Sequence, residues 1–119
     1  MSGVVPYLIR AYCDWIEDSN LTPNILVDCV KTSVVVPEGF AKEGKIVLNI
    51  SSSATENRLI TNNFISFKTR FNGKPQKVII PCDAVLTIYA QESGEGMFFD
   101  NKLKTEANEN DKPGLTILD

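Results

Sequence analysis

The 119-residue sequence contains no histidine, and its three cysteines are far apart. Without histidine, most zinc sites, the Ser-His-Asp triad and the Cys-His dyad cannot be built. Cys13, Cys29 and Cys82 lack the C-x-x-C spacing and stand among apolar neighbours, which predicts small buried hydrophobes. Gly94-Glu95-Gly96 lacks the further glycine and the strand-to-helix setting of a phosphate-binding loop. We therefore expect no enzymatic activity, no cofactor and no metal site.

Long apolar runs are also absent. No stretch approaches the ~18 apolar residues of a membrane span, and the first residues lack the basic start and apolar stretch of a secretory signal. The formal net charge is -3, which argues against a partner recognised mainly through its phosphate backbone. We expect a soluble, cytoplasmic protein, with one folded domain because of its length.

Residues Pro6 to Ser19 predict an amphipathic helix, with Asn20 ending it in the left-handed conformation. The apolar arc of this helix covers about 160° at ~100° per residue, which is wider than one core requires. Two interpretations are open. Either the whole arc packs on a sheet, or one flank meets the core and the other a second subunit across a two-fold axis. The candidate interface residues are Tyr7, Leu8, Ala11, Tyr12 and Trp15.

The chain from residue 24 to about residue 100 predicts a mainly β (α+β) domain. Strand patterns occupy residues 24–30, 33–36, 46–50, 59–61, 64–71, 76–80 and 97–99. Asn72-Gly73 predicts a tight hairpin, because both positions tolerate a positive φ. The apolar residues 84–90, after Asp83, predict a short second helix. The expected fold is a small, strongly curved antiparallel β barrel or sandwich, Sm-like, with an N-terminal dimerisation helix.

A curved sheet of this kind has two binding interpretations. Aromatic and basic residues interleave on the 64–80 hairpin, as they do on small barrels that bind single-stranded nucleic acid; they are Phe67, Lys68, Arg70, Phe71, Lys74 and Lys77. The acidic charge balance argues against that partner. The other interpretation is an extended peptide that pairs with an open sheet edge while alternate side chains enter pockets.

The last residues differ in composition from the domain. Residues 101–112 are almost wholly polar and predict a disordered linker. Apolar residues return in 113–119. This end is either a last strand or fraying end of the domain, or a short docking motif on the linker.

Several motifs resemble the stringent starvation protein B (SspB) family, in order from Pro6 to about Phe99. They are PYLIRAY at 6–12 followed by Asp14-Trp15, LTP at 21–23, VD at 27–28, GKIVLNI at 44–50, FKTRF at 67–71 and AVLTIYA at 84–90. SspB proteins are adaptors that recognise the ssrA degradation tag on products of stalled ribosomes and deliver them to the ClpXP protease. The resemblance implies a tag-binding domain at 1–100 that dimerises through its helix, a flexible linker at 101–112 and a protease-docking motif at 113–119.

The resemblance also implies functional residues. We expect the walls of the tag groove to include Val47, Asn49, Ser51, Phe67, Thr69, Arg70 and Phe71. We expect Pro113, Leu115, Ile117 and Leu118 to dock on the N-terminal domain of ClpX. The expected mechanism is tethering, in which a second, weak binding event becomes intramolecular. No nucleotide or metal is needed, because the protease hydrolyses the ATP.

Overall fold

A computed structural model describes residues 3–30, 34–37 and 39–99. In this part of the chain, helix α1 (Val5–Asp18) precedes seven strands: β1 (Pro23–Asp28), β2 (Lys45–Asn49), β3 (Glu56–Ile60), β4 (Phe64–Phe71), β5 (Lys74–Pro81), β6 (Val85–Ala90) and β7 (Gly96–Phe98). The predicted linker and docking motif lie outside the described residues. Within the described ranges, no helix is both long and apolar enough to cross a membrane.

The strands form two antiparallel sheets. Sheet A has the strand order β2-β1-β6-β7, and sheet B has the order β3-β4-β5. Their buried side chains join those of α1 in one core, in which Ile25, Ile88, Ile65 and Val78 are completely buried. This arrangement confirms the mainly β prediction and is consistent with a small sandwich; the closed, Sm-like barrel is not confirmed.

Helix α1 lies where the apolar spacing predicts it. Its core-facing residues recur every three or four positions, at Val5, Ile9, Cys13 and Ile16. Asn20 has φ 62° and ends the helix as predicted. The N–H of Leu21 donates to the carbonyl of Ile16 over 3.0 Å, which is the helix-ending pattern that a left-handed residue allows.

The predicted β4–β5 hairpin is confirmed. The turn residues Asn72 and Gly73 have φ of 53° and 81°, so both occupy the positive-φ region that a two-residue hairpin turn of the favoured hand requires. Alternation along β4 places Ile65 and Phe67 in the core, while Lys68 faces the solvent.

The predicted second helix is wrong. A single 3-10 turn occupies Cys82–Ala84, without a side-chain cap from Asp83. The following residues form β6, which pairs with β1 on one side and with β7 on the other. Valine, threonine, isoleucine and tyrosine in this stretch favour a strand, and a short apolar run does not distinguish a buried strand from a buried helix. The pairing with β1 decides the conformation.

The cysteines are free thiols, and two of them are buried as predicted: Cys13 and Cys82. Burial raises the pKa of each of these two thiols to about 11. They are therefore protonated near pH 7 and unreactive, because the thiolate is the nucleophile. Cys29 is half-buried.

Candidate functional site

A groove of about 390 Å³ lies between β4 and the loop that leads into β3. Polar and charged side chains make up most of its lining, which comprises Ser53, Ala54, Thr55, Glu56, Lys68, Thr69, Arg70 and Pro75. The groove exists because β4 extends past its partner: Glu56, the first residue of β3, lies opposite Lys68, and β4 continues to Phe71. The end of β4 therefore has a strand on one side only.

The free side of β4 offers backbone hydrogen-bonding groups. The N–H of Thr61 donates to the carbonyl of Phe64 over 2.9 Å, so the even-numbered residues of β4 direct their backbone groups towards β3. Arg70 shares this orientation but lies beyond Lys68, the residue opposite Glu56 at which β3 begins. Its N–H and carbonyl therefore face the groove side, where an extended chain can pair with them.

The loop at 51–55 is held in place by short-range hydrogen bonds. The carboxamide oxygen of Asn49 accepts from the N–H of Ser51 over 2.9 Å, and the Thr55 hydroxyl donates to the Ser51 carbonyl over 2.8 Å. The Thr69 hydroxyl donates to the carbonyl of Ala54 over 2.9 Å and so joins the loop to β4. The groove is therefore formed before any ligand arrives, which reduces the ordering cost of binding.

Helix α1 supports the same loop through Glu17. The Glu17 carboxylate accepts from the Ser52 N–H over 2.6 Å and forms a salt bridge of 3.3 Å with Arg58. Arg58, on β3, also donates to the carbonyl of Ile50 over 2.7 Å. One carboxylate and one guanidinium thus connect the helix, the loop and the edge strand of sheet B.

The Glu17 contacts predict a pH-dependent contribution to stability. Burial raises the pKa of this carboxyl, but the Ser52 N–H and the Arg58 guanidinium lower it by more, so the net pKa lies below its ordinary value of 4.5. The stabilisation is therefore present above pH ~4.5 and is lost as the pH falls through the folded-state pKa. We expect Glu17→Gln to lower the free energy of unfolding by about 1 kcal/mol at pH 7, measured by urea denaturation.

The difference between Glu17→Gln and the unmodified protein should shrink as the pH falls below 4. Asp18→Asn is the matched control, because Asp18 is exposed on the same helix and should change stability little. A Glu17→Gln deficit that stays constant as the pH falls through the folded-state pKa of Glu17 would show that lost packing, and not the charge, causes the effect.

Three of the residues predicted for the tag groove do not line this groove. Val47 and Asn49 are exposed on β2, with the Asn49 side chain turned to the Ser51 N–H. Ser51 is buried at the start of the loop, with its hydroxyl 3.2 Å from that of Ser53. None of the three lines the groove, although Asn49 and Ser51 help to fix the loop that does.

The two predicted phenylalanines face inward. Phe67 is 2% exposed in the core, and Phe71 packs against Phe40 with ring centroids 4.7 Å apart. The buried Phe67 ring offers no free face on which a nucleic-acid base could stack. Thr69 and Arg70 are the predicted residues that the structure brings together in the groove.

Most of the groove lining was not predicted. The polar residues 51–57 contain no strand pattern, but they place Ser53, Thr55 and Glu56 against β4. Their position depends on a one-residue irregularity in the β3–β4 register, at which Asn57 has φ 56°. Asparagine tolerates this conformation more readily than most residues. Asn57 is therefore the sequence feature from which the irregularity in β3 could have been predicted.

The predicted interface residues form one face of α1. Tyr7 and Trp15 are 51% and 50% exposed, and Ala11 lies between them, one helical turn from each. Tyr12 packs edge-on against Trp15 at 5.6 Å and is half-buried, as is Leu8. A shallow hollow of about 300 Å³ is lined by Ala11, Tyr12 and Trp15.

The family model described as stringent starvation protein B matches residues 3–116. The chain belongs to the stringent starvation protein B family. The stringent starvation protein B homolog of Haemophilus influenzae (strain ATCC 51907 / DSM 11121 / KW20 / Rd) is 48% identical to it over 95 residues, which are 80% of this chain and 63% of that relative. The chain thus spans less than two thirds of the relative's length. Membership of this family suggests an adaptor of the stringent starvation protein B type.

Proposed function

We propose that this protein is a non-enzymatic adaptor that acts in the cytoplasm. It binds the ssrA tag of proteins released from stalled ribosomes and holds them at the ClpXP protease. Membership of the family suggests the adaptor role. The observation that carries tag binding is the preformed groove beside β4, where Arg70 directs backbone groups towards a side that β3 no longer covers.

The groove suits an extended peptide with an acidic residue. A peptide lying along the free side of β4 makes backbone hydrogen bonds, and alternate side chains reach the groove walls. Lys68 and Arg70 face a single acid, Glu56, among the charged lining residues. Arg70 is already oriented, because its guanidinium donates to the carbonyl of Gly73 over 3.0 Å.

We propose further that two copies pair through α1. The exposed Tyr7–Ala11–Trp15 face fits a two-fold contact, because the same helix face can meet itself. Large half-exposed aromatic rings beside a small residue are typical of interface centres. Pairing gives one particle two grooves and two C-terminal segments, and this bivalency strengthens attachment to the protease.

The C-terminal residues complete the proposal as the tether. Pro113, Leu115, Ile117 and Leu118 bind ClpX, while the polar residues 101–112 span the gap to the domain. A flexible chain of this length has a typical span of ~20 Å, which corresponds to an effective concentration near millimolar. The unfoldase supplies the ATP hydrolysis.

Calorimetric titration with an ssrA tag peptide tests the groove. Lys68→Glu should weaken binding at least tenfold, about 1.4 kcal/mol, because it changes the sum of the groove charges from positive to negative. Lys77→Glu is the matched control: Lys77 lies directly opposite Lys68 in the hairpin and does not line the groove. Equal affinities of the two variants would place tag binding elsewhere.

Degradation of a tagged protein by ClpXP, measured with and without this protein, tests the tether. A chain ending at Lys112 should bind the tag peptide as the full chain does and lose stimulated degradation. Loss of peptide binding and delivery together would contradict the separation of the two roles.

A further inference from the structure

Among the described residues that line the groove, Glu56 is the only acid. It lies directly opposite Lys68, so the two side chains share one face of sheet B. Glu56 is exposed, and the Arg58–Glu17 pair is the only salt bridge within the part of the chain that the structure describes. The Glu56 carboxylate is therefore not held by Lys68 and is available to act on a ligand.

Glu56 also stands at the end of the groove where β3 begins. From Glu56 onward, β3 occupies the place beside β4. A peptide paired with the backbone of Arg70 lies in line with β3, so it cannot continue along β4 and must leave the sheet at Glu56. The peptide residue opposite Arg70 is two positions, ~7 Å, from Glu56 along this line. The next residues towards β3 pass closer to the Glu56 carboxylate; we call the first of them to leave the sheet the exit position.

The charges along this path favour different peptide side chains. A side chain opposite Arg70 lies ~5 Å from that residue, measured between Cβ atoms, and ~7–8 Å from Lys68 on the diagonal. Arg70 is held by its hydrogen bond to the Gly73 carbonyl. An acidic side chain there meets two cations and one more distant carboxylate. At the exit position Glu56 is the nearest charged group, and charges a few ångströms apart near a protein surface change affinity several-fold.

The backbone on both sides of Glu56 is fixed. The Thr55 hydroxyl donates to the Ser51 carbonyl over 2.8 Å, and Asn57 has φ 56° at the irregularity in the β3–β4 register. The carboxylate is therefore presented at the end of the groove before a peptide arrives, and its effect on binding requires no rearrangement of the protein.

We propose that Glu56 is a specificity-determining residue of the groove, which disfavours an acidic side chain at the exit position and favours a basic one. The role of Glu56 rests on the proposed function and defines which extended peptides the groove accepts. They carry an acid opposite Arg70 and a neutral or basic residue at the exit position. Discrimination between partners needs such a repulsive element as well as the attraction of the two cations.

Calorimetric titration with a scanned set of ssrA tag peptides tests this role. Each pair of peptides carries Glu or Lys at one position, and the ratio of their dissociation constants measures the preference for Lys. Glu56→Gln should lower this ratio about threefold or more at one position and change it little at the others. Glu95→Gln, an exposed carboxylate removed from the turn before β7, is the matched control and should retain the ratios of the unmodified protein.

Salt separates a charge effect from a change of shape. In 1 M NaCl the screening length is only ~3 Å, so the difference between Glu56→Gln and the unmodified protein should largely disappear. A difference that persists in 1 M NaCl would assign the effect to the shape of the groove and would refute the proposal.

Tag peptides that bind with the same Lys preference at every position in Glu56→Gln and in the unmodified protein would overturn the role of Glu56 and leave the proposed function intact. An equal change at all positions would reflect the net charge of the protein, and would equally refute recognition at the exit position. The proposed function fails in a different way, because then no peptide of the set binds to the unmodified protein, and the role of Glu56 falls with it.

Discussion

Trp15→Glu should convert the protein from dimers to monomers at micromolar concentration. The side chain is 50% exposed in the single chain, and the proposed two-fold contact covers it. A carboxylate buried at such a contact without a partner costs about 3 kcal/mol or more, and symmetry introduces two of them. The dissociation constant of the dimer should therefore rise more than a hundredfold. Sedimentation velocity over a concentration series measures the change.

Val30→Glu is the matched control for this substitution. Val30 is 79% exposed and lies in the turn after β1, so it introduces the same charge away from α1. Circular dichroism and tag-peptide titration should be unchanged in both variants, because neither residue lines the groove. A Trp15→Glu protein that sediments as the unmodified dimer would place the interface on another surface.

Gly96→Ala should destabilise the protein strongly, although Gly96 is exposed. A Cβ at this position would overlap the carbonyl oxygen of Ile88 and lie 2.5 Å from the Cα of Tyr89. These are backbone atoms of β6 and cannot rotate away, so β7 must separate from β6. The free energy of unfolding should fall by about 2–3 kcal/mol, since overpacking of a closed contact costs this much.

Urea denaturation of Gly96→Ala, with Glu95→Ala beside it, measures this effect. Glu95 is exposed and contributes its backbone carbonyl to the pairing of β6 and β7, which alanine retains. Glu95→Ala should therefore stay within about 0.5 kcal/mol of the unmodified protein. Equal stability of the two variants would mean that β7 does not approach β6 as closely as the structure describes.

Local sequence patterns were sufficient to predict the elements whose hydrogen bonds join residues close together in the chain. The helix could be predicted because apolar residues recur at helical spacing within one segment and a left-handed asparagine ends it. The β4–β5 hairpin could be predicted because Asn72-Gly73 determines the turn and the alternation determines the faces. Strand β6 could not, because its conformation depends on pairing with β1, about sixty residues earlier in the chain.

The groove could be predicted only in part, because residues distant in the chain form its two sides. The family resemblance suggested Thr69 and Arg70, which do line the groove. The resemblance also suggested Phe67, which lies in the core. The spacing of residues along a strand does not show whether an apolar side chain faces a groove or the core. The residues opposite, from Ser53 to Glu56, are positioned by the Asn57 irregularity and by Glu17, and neither influence is visible in a periodic pattern.

The Glu17 carboxylate connects the exposed face of α1 to the loop that lines the groove. It accepts a hydrogen bond from the Ser52 N–H, and Trp15, two residues before it on the same helix, is proposed to meet a second copy. Because Trp15 and Glu17 lie on the same helix, a movement of α1 at one of these residues also moves the other. A tilt of α1 at the proposed contact would therefore displace Ser52 and, with it, the loop that lines the groove.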